Sequence, residues 1–366
     1  MNSLTTIAGS TSFNPGELLR LPRTNNRRPK VRLGISSNLT SAHARELCFG
    51  CLAGAQEWLQ SDPPYELELL WEEDTLDEND DSTAPRRLVR SGADIVIGHC
   101  SSTEALRAAQ VYEQAGIPFL APGTSNPLLT AMGLRNVVRY YGRDDDLAEA
   151  MTDVVVRGGA GKVALVWQDI LYGRTLAGLL RGTLLRSGIE VATESDGKGH
   201  ALTATNLAGL DTVVFAGTYL AGAELLEQLK EADYRGSVVL GDDAYLEEFL
   251  AAAQGLRGDV YVVSTGVNTD HSDYEAFRQR YVNLSGLEPG AYSVTSYLAA
   301  RQGLEFIHIL AQRGLHAFID KIRMESFTKD SLVGKLHVNY KGEPMNFAWN
   351  THQVKDGRFV KWPSRA

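Results

Sequence analysis

Two short segments hold the residue types that could bind a charged group: Ile95-Val96-Ile97-Gly98-His99-Cys100-Ser101-Ser102-Thr103 and Pro118-Phe119-Leu120-Ala121-Pro122-Gly123-Thr124-Ser125-Asn126. In each, an apolar run of buried-strand character stops at small residues and Ser or Thr. These could cap a following helix, expected at 104–115 after the first and near Leu128 after the second. Two such ends side by side make an anion site, because unpaired backbone N–H groups and the positive end of the helix dipole point at the ligand. The hydroxyls of Ser102 and Ser125 can donate to a carboxylate or accept from an ammonium. Ordinary N-capping is the alternative reading of the same residues.

Other reactive residues offer less. Cys48, Cys51 and Cys100 are an odd number and make no disulfide framework. Cys48-Phe49-Gly50-Cys51 has CxxC spacing, but no second Cys/His pair completes a zinc site, so its apolar neighbours point to one turn of a packed helix, with redox or metal chemistry as the alternative. The acidic run from Glu72 to Asp81 lacks the Gly and the distant Glu of an EF-hand and reads as a solvated loop. Gly158-Gly159-Ala160-Gly161-Lys162 precedes a strand and has no Ser or Thr after Lys, so it is a turn and not a phosphate loop. His99, Cys100 and Ser101 are adjacent in a strand and point to alternate faces, which suits no nucleophilic pair. There is no GxSxG elbow, HExxH or dinucleotide fingerprint. These absences argue against an enzyme, and no cofactor is implied.

The elements that must position the hydroxyls follow from hydrophobic periodicity. With 366 residues, 43% apolar and 22% charged, the chain suits about two domains with ordinary cores, and no apolar run approaches the roughly 20 residues of a membrane span. A net charge of −9 argues against nucleic-acid partners. Residues 1–30 are polar and punctuated by Pro15, Pro22 and Pro29, as expected of a flexible arm. Leu18-Leu19-Arg20-Leu21 is too short for a secretory core, so the chain as written is expected to stay in the cytoplasm. A misassigned start or an unusual export route would instead place it in the periplasm or outside the cell.

From Val31 a βα rhythm runs to Val137-Val138-Arg139-Tyr140, and restarts with helix 144–157 and strand 162–167. It continues through strands near 190, 212–216, 237–241 and 260–264. A helix at 244–253, a long helix at 293–313, a short one at 317–323 and antiparallel strands around Lys341-Gly342 and Asp356-Gly357 complete the pattern. The implied architecture is α/β, two doubly wound parallel sheets in two lobes joined by several crossovers: 31–141 plus 267–323, and 142–266 plus 324–362. A ligand cleft between the lobes, closing by hinge motion, is the expected site.

Over residues 31–362 the chain resembles the type I periplasmic binding proteins, in the branch with the leucine/isoleucine/valine-binding protein and the cytoplasmic amide sensor. The likeness is strongest in Tyr112-Glu113, Gly116-Ile117-Pro118 and Ala121-Pro122-Gly123-Thr124-Ser125-Asn126-Pro127. It implies that Ser102 holds a ligand carboxylate, that Gly123 offers its carbonyl to an ammonium, and that Ser125 replaces the usual threonine. Tyr172, preceded by Asp169, matches a tyrosine that covers the ligand, and Tyr219 matches a second. Asp243 falls where amino-acid binders carry the acid that pairs with the α-ammonium, although Asp242 and Asp243 could equally cap the helix at 244–253. His43 and Tyr292 fall near positions that set side-chain preference. For His43 a surface position is the other reading.

What the resemblance implies is a non-catalytic protein that binds an amino acid or related small amide, partnered by the permease of an ABC-type importer. The alternative is a cytoplasmic sensor of amides or amino acids acting on a regulatory protein. An enzyme using the same cleft is the third reading. Neither nucleic acid nor direct membrane insertion is expected.

Overall fold

The computed structural model describes residues 28–37, 41–74, 83–197, 207–325, 331–334 and 337–363. The expected arm lies outside them up to residue 27, as do residues 75–81 of the acidic run. Two compact units are formed: one from the described residues up to Thr124 with Leu128–Tyr141 and Val267–Phe347, the other from Ser125–Pro127, Gly142–Gly266 and the chain from Ala348 on.

The first unit opens with β1 (Lys30–Ser37), α1 (Ala42–Gln60), β2 (Glu66–Glu73), α2 (Ala84–Arg90), β3 (Ile95–Ile97), α3 (Ser102–Ala115), β4 (Phe119–Ala121), α4 (Leu128–Ala131) and β5 (Val137–Arg139). The sheet order is β2-β1-β3-β4-β5, all parallel. β3 and β4 are wholly buried because their β-branched and aromatic residues are covered on both faces. Leu88, Val96, Ala108, Tyr112 and Phe119 share one core.

The second unit contains α5 (Asp144–Arg157), β6 (Lys162–Trp167), α6 (Leu171–Arg186), β7 (Glu190–Ser195), β8 (Thr212–Ala216), α7 (Tyr219–Glu231), β9 (Ser237–Leu240), α8 (Glu247–Ala253) and β10 (Val260–Thr265). The chain then returns to the first unit with α9 (Tyr274–Ser285), α10 (Ala291–Glu305), α11 (Ile307–Glu325), β11 (His337–Val338) and β12 (Pro344–Met345), and ends in the second with β13 (Trp349–Lys355) and β14 (Arg358–Lys361). The second sheet runs β14-β13-β10-β9-β8-β6-β7, parallel except for β13 and β14. Asp356 and Gly357, both at positive φ, make the two-residue turn between those antiparallel strands.

Several expectations need correction. Residues 324–347 belong to the first unit, because the buried Arg139 side chain pairs with Glu343 at 3.2 Å, its N–H donates to Gly342, and Thr130 donates to the same carboxylate. Ser125–Pro127 belong to the second unit, where the Ser125 carbonyl accepts from Asp144 N–H at 3.0 Å. The helix expected at 244–253 is a 3₁₀ turn, Asp242–Ala244, followed by α8. The long helix is two, α10 and α11, the latter broken at Gly314. α9 carries no clean amphipathic period and was not expected.

Cys48 and Cys51 are fully buried on α1, and burial pushes the Cys48 thiol up to about 12 and Cys51 well above its ordinary value. That suits packed thiols rather than redox chemistry.

α1 and α10 lie side by side with their backbones in near contact. A Cβ on Gly50 would stand 2.4 Å from the Ser293 carbonyl oxygen, and one on Gly54 would stand 2.6 Å from that of Tyr297. Helix propensity favours Ala over Gly by about 1 kcal/mol, so only this contact opposes the exchange. Gly50→Ala is therefore expected to destabilise by about 1–3 kcal/mol. Gly178→Ala, on α6 with nothing near its Cβ position, is expected to stabilise by about 0.5–1 kcal/mol. Urea unfolding of both variants measures the two signs.

In the second unit His352, 9% exposed, packs against Tyr245 at 4.5 Å, and desolvation followed by the charge of Lys361 lowers its pKa to about 4. Unfolded, the ring takes its proton near 6.5. Between those values the unfolded chain binds more protons, so stability falls as pH drops from about 6.5 to about 4 and this contribution is constant below. His352→Gln should lose less stability over that interval than the parent, by up to about 3 kcal/mol, in urea titrations at its two ends.

Candidate functional site

In the first unit the parallel pairing of α1 and α10 places the first turns of the two helices together. The His43 and Tyr292 rings meet edge-on at 4.4 Å, and Tyr292 stacks on Tyr141 at 4.9 Å and 10°. Tyr141 in turn packs on Phe347 at 5.4 Å. Gly123 lies under this row, where a Cβ would stand 2.8 Å from Tyr292, so the close approach requires glycine. His43 is 4% exposed and is not a surface residue.

The residue that organises this wall was not singled out from the sequence. Glu46 Oε2 accepts the Tyr292 N–H at 3.0 Å and lies 3.5 Å from His43 Nδ1. Its carboxylate stands where a Cβ of Gly290, the N-cap of α10, would be. A carboxylate at a helix N-terminus is favoured by the dipole and by the unpaired N–H groups. The i,i+3 spacing of His43 and Glu46 was the available signal, but it became informative only beside Gly290.

Ser102 is the first residue of α3, with Ser101 at the N-cap making no side-chain capping bond. The expected cap is thus not formed, and the Ser102 hydroxyl has no hydrogen-bond partner among the described residues. It is 7% exposed at the end of a helix whose first-turn N–H groups have no intrahelical acceptor. Behind it, Thr124 donates to the His99 carbonyl at 3.0 Å, linking the turns that follow β3 and β4. His99 engages Asp74 at 2.8 Å through Nδ1 and Tyr112 at 3.2 Å through Nε2. Glu104, in the same first turn, is pushed upward by desolvation and then by the Asp74 charge.

The second unit holds the other four residues. The Tyr172 hydroxyl donates to Asp242 Oδ1 at 2.8 Å. Desolvation, then the charges of Asp242, Asp144 and Asp243, raise the Tyr172 pKa well above the phenol range. The phenol stays protonated and acts as a donor. Asp243 Oδ2 accepts the Tyr219 N–H at 2.5 Å, so this carboxylate caps α7 and not the helix that follows it in the chain. Asp242, at 1% exposure the more buried of the two, is a member of the group that sequence reasoning treated only as a cap. Ser125 is held through its carbonyl to the start of α5, and the Asn126 amide donates to Thr175 at 3.3 Å. The structure therefore joins His43, Gly123 and Tyr292 in one unit. In the other it joins Tyr172 to Asp242, and Tyr219 to Asp243.

Among the described residues no group of three or more His, Cys, Asp or Glu side chains is arranged to hold a metal, and no helix is long and apolar enough to cross a membrane.

The family described as periplasmic binding protein matches residues 31–357. An amino acid binding protein of Pseudomonas aeruginosa is 29% identical over 226 residues, 59% of this chain and 60% of that protein. A Leu/Ile/Val-binding protein homolog of Brucella melitensis is 24% identical over 286 residues, 76% and 77% of the two chains. Among solved structures, a leucine binding protein from Thermotoga maritima superposes with a TM-score of 0.78 at 19% identity, over 91% of this chain and 98% of that one. The LivJ protein of Streptococcus pneumoniae in complex with isoleucine gives 0.79 at 17% identity, over 91% and 99%. At these identities the structures establish the fold, α/β with parallel-sheet lobes.

The role of Glu46 separates into charge and hydrogen bonding. Glu46→Gln should cost about 0.5–1 kcal/mol and Glu46→Ala about 1–3 kcal/mol by urea unfolding. Equal losses would assign the effect to the charge alone, and no loss in either variant would show that the carboxylate does not act as a cap.

Proposed function

Because this chain belongs to the periplasmic binding protein family, we propose that it binds a small polar solute without transforming it, and that the solute is an amino acid or a related small amide delivered to an ABC-type permease. The observation that carries the reading is the Ser102 hydroxyl, nearly buried at the N-terminus of α3 and without a partner. A carboxylate placed there accepts from the hydroxyl and from first-turn N–H groups, and it is favoured by the helix dipole.

The remaining assignments rest on the chemistry of their surroundings. The Gly123 carbonyl and the Ser125 hydroxyl supply further polar contacts. Asp243 is half-buried and bonded through one oxygen to Tyr219, and with Asp242 beside it sets a negative potential that favours an ammonium. A charge-assisted bond of that kind contributes about 1.5–3 kcal/mol. Tyr172 and Tyr219 in the second unit are taken as contacts of the solute, and His43 and Tyr292 in the first are more polar than aliphatic side chains, which favours a solute with polar side-chain atoms. The amino-acid ligands named for the relatives support the same class.

A thermal-shift panel of α-amino acids, short aliphatic amides and polyols tests this. α-Amino acids should raise the melting point, a ligand at 100 times its dissociation constant stabilising by about 2.7 kcal/mol. Ser102→Ala and Asp243→Asn should each weaken binding by about 1.5–3 kcal/mol in calorimetric titration. Unchanged affinity in both variants overturns the site. A response to uncharged amides alone would replace the amino-acid reading with that of an amide receptor.

A further inference from the structure

The first unit has a cavity of about 470 Å³ that none of the binding candidates lines. It lies between α4, α11 and the turn joining β11 to β12, and it is lined by Arg135, His316, Asp320, Arg323, Tyr340 and Lys341. Its volume is within the roughly 300–1,000 Å³ of small-molecule sites. Arg135 stands two residues before β5, so the cavity opens at the amino end of a parallel strand. Ser102 and Gly123 follow β3 and β4 at the opposite, carboxyl end of the same sheet. The two places are therefore distinct.

The lining is cationic on a protein with a net charge of −9. Three side chains with a fixed positive charge face one carboxylate. The Arg135 guanidinium has no ion pair among the described residues, its backbone N–H alone donating to Glu113 at 3.2 Å. Among the described residues the Lys341 ammonium has only the Tyr340 ring, 5.7 Å away. Arg323 approaches Asp320 no closer than 3.9 Å, and its Nε is buried without an acceptor. Nearby, the buried Glu343 carboxylate is already engaged by Arg139 and Thr130 and does not line the cavity. A buried guanidinium N–H without an acceptor costs about 1–3 kcal/mol, and desolvation lowers the Arg323 pKa against the opposing charge of Asp320, so Asp320 offsets this burial only in part.

We propose that this cavity is a second binding site, for a compact anion bearing two or more phosphate or carboxylate groups. Arg323 donates from the floor with its planar fork, and Arg135 and Lys341 close on the anion from the rim. The Tyr340 ring, 77% exposed, supplies a flat face for the organic part of such a ligand. Asp320 limits the site to ligands whose charge is gathered on the Arg135 and Lys341 side.

Calorimetric titration of the full chain with sodium pyrophosphate and with sodium citrate, at matched ionic strength, tests the proposal and separates phosphate from carboxylate recognition. At least one should bind saturably, one per chain. The double variant Arg135→Ala/Lys341→Ala, altering exposed side chains only, should weaken that binding at least about tenfold, and Arg323→Gln should do likewise. Ser102→Ala should leave it unchanged whatever the fate of the amino-acid site. The proposal is overturned if neither probe binds below about 5 mM, a free energy of about 3 kcal/mol. It is also overturned if the double variant binds like the parent, or if Ser102→Ala abolishes binding and so moves the anion to α3.

Discussion

The near contact of α1 and α10 is the constraint on which the first unit depends. Two helices approach this closely only where one offers glycines at i and i+4, and Gly50 and Gly54 do so against the backbone of Ser293 and Tyr297. Because the helices run parallel, a contact fixed in their middle also fixes their first turns. Glu46 is thereby set over the N-terminus of α10, and His43 against Tyr292. The aromatic row through Tyr141 and the approach of Gly123 follow from that placement. Helix packing thus decides the wall's shape, since a shift of either helix would separate a carboxylate from the dipole that stabilises it.

The second unit solves a different problem. It concentrates Asp144, Asp242 and Asp243 around one phenol, an arrangement that raises the proton affinity of the group at its centre. Tyr172 answers by donating to Asp242, and α7 answers by offering an N-terminal N–H to Asp243. Each carboxylate so engaged loses some of its freedom. Such a surface is electrostatically biased toward cations before any ligand arrives. The first unit is biased the other way at the start of α3, where an unpartnered hydroxyl meets a helix N-terminus. These are separate physical grounds, one in each unit, for the proposed amino-acid class.

Much of the architecture was legible from local signals. Period-2 and period-3.6 patterns placed the strands and most helices, because burial on both faces of a parallel sheet leaves unbroken β-branched runs such as Ile95-Val96-Ile97. The Asp356-Gly357 turn was legible because few dipeptides accept positive φ twice. Signals failed where local preference was neutral. α9 has no clear apolar stripe, the 3₁₀ turn at Asp242 to Ala244 looks like a helix start, and α11 bends at Gly314. The assignment of 324–347 failed for a further reason: it depended on Glu343 meeting Arg139, two residues that share no local pattern.

The residues singled out as binding candidates divide in the same way. Ser102 was identifiable by itself, since a strand end followed by hydroxyls and a helix is a local arrangement with local physics. Glu46, Asp242, and the basic lining formed by Arg135, Arg323 and Lys341 were not, because an isolated charge in a sequence is most simply read as a solvated one. The order of elements, their burial pattern and the chemical character of the strand ends can be read from the residues alone, since all are consequences of short-range periodicity. Which charges are desolvated, and what they face, is settled by packing. That depends on contacts between residues up to 246 positions apart, as between Glu46 and Tyr292, and the energy of a charge is set by its surroundings and not by its neighbours in the chain.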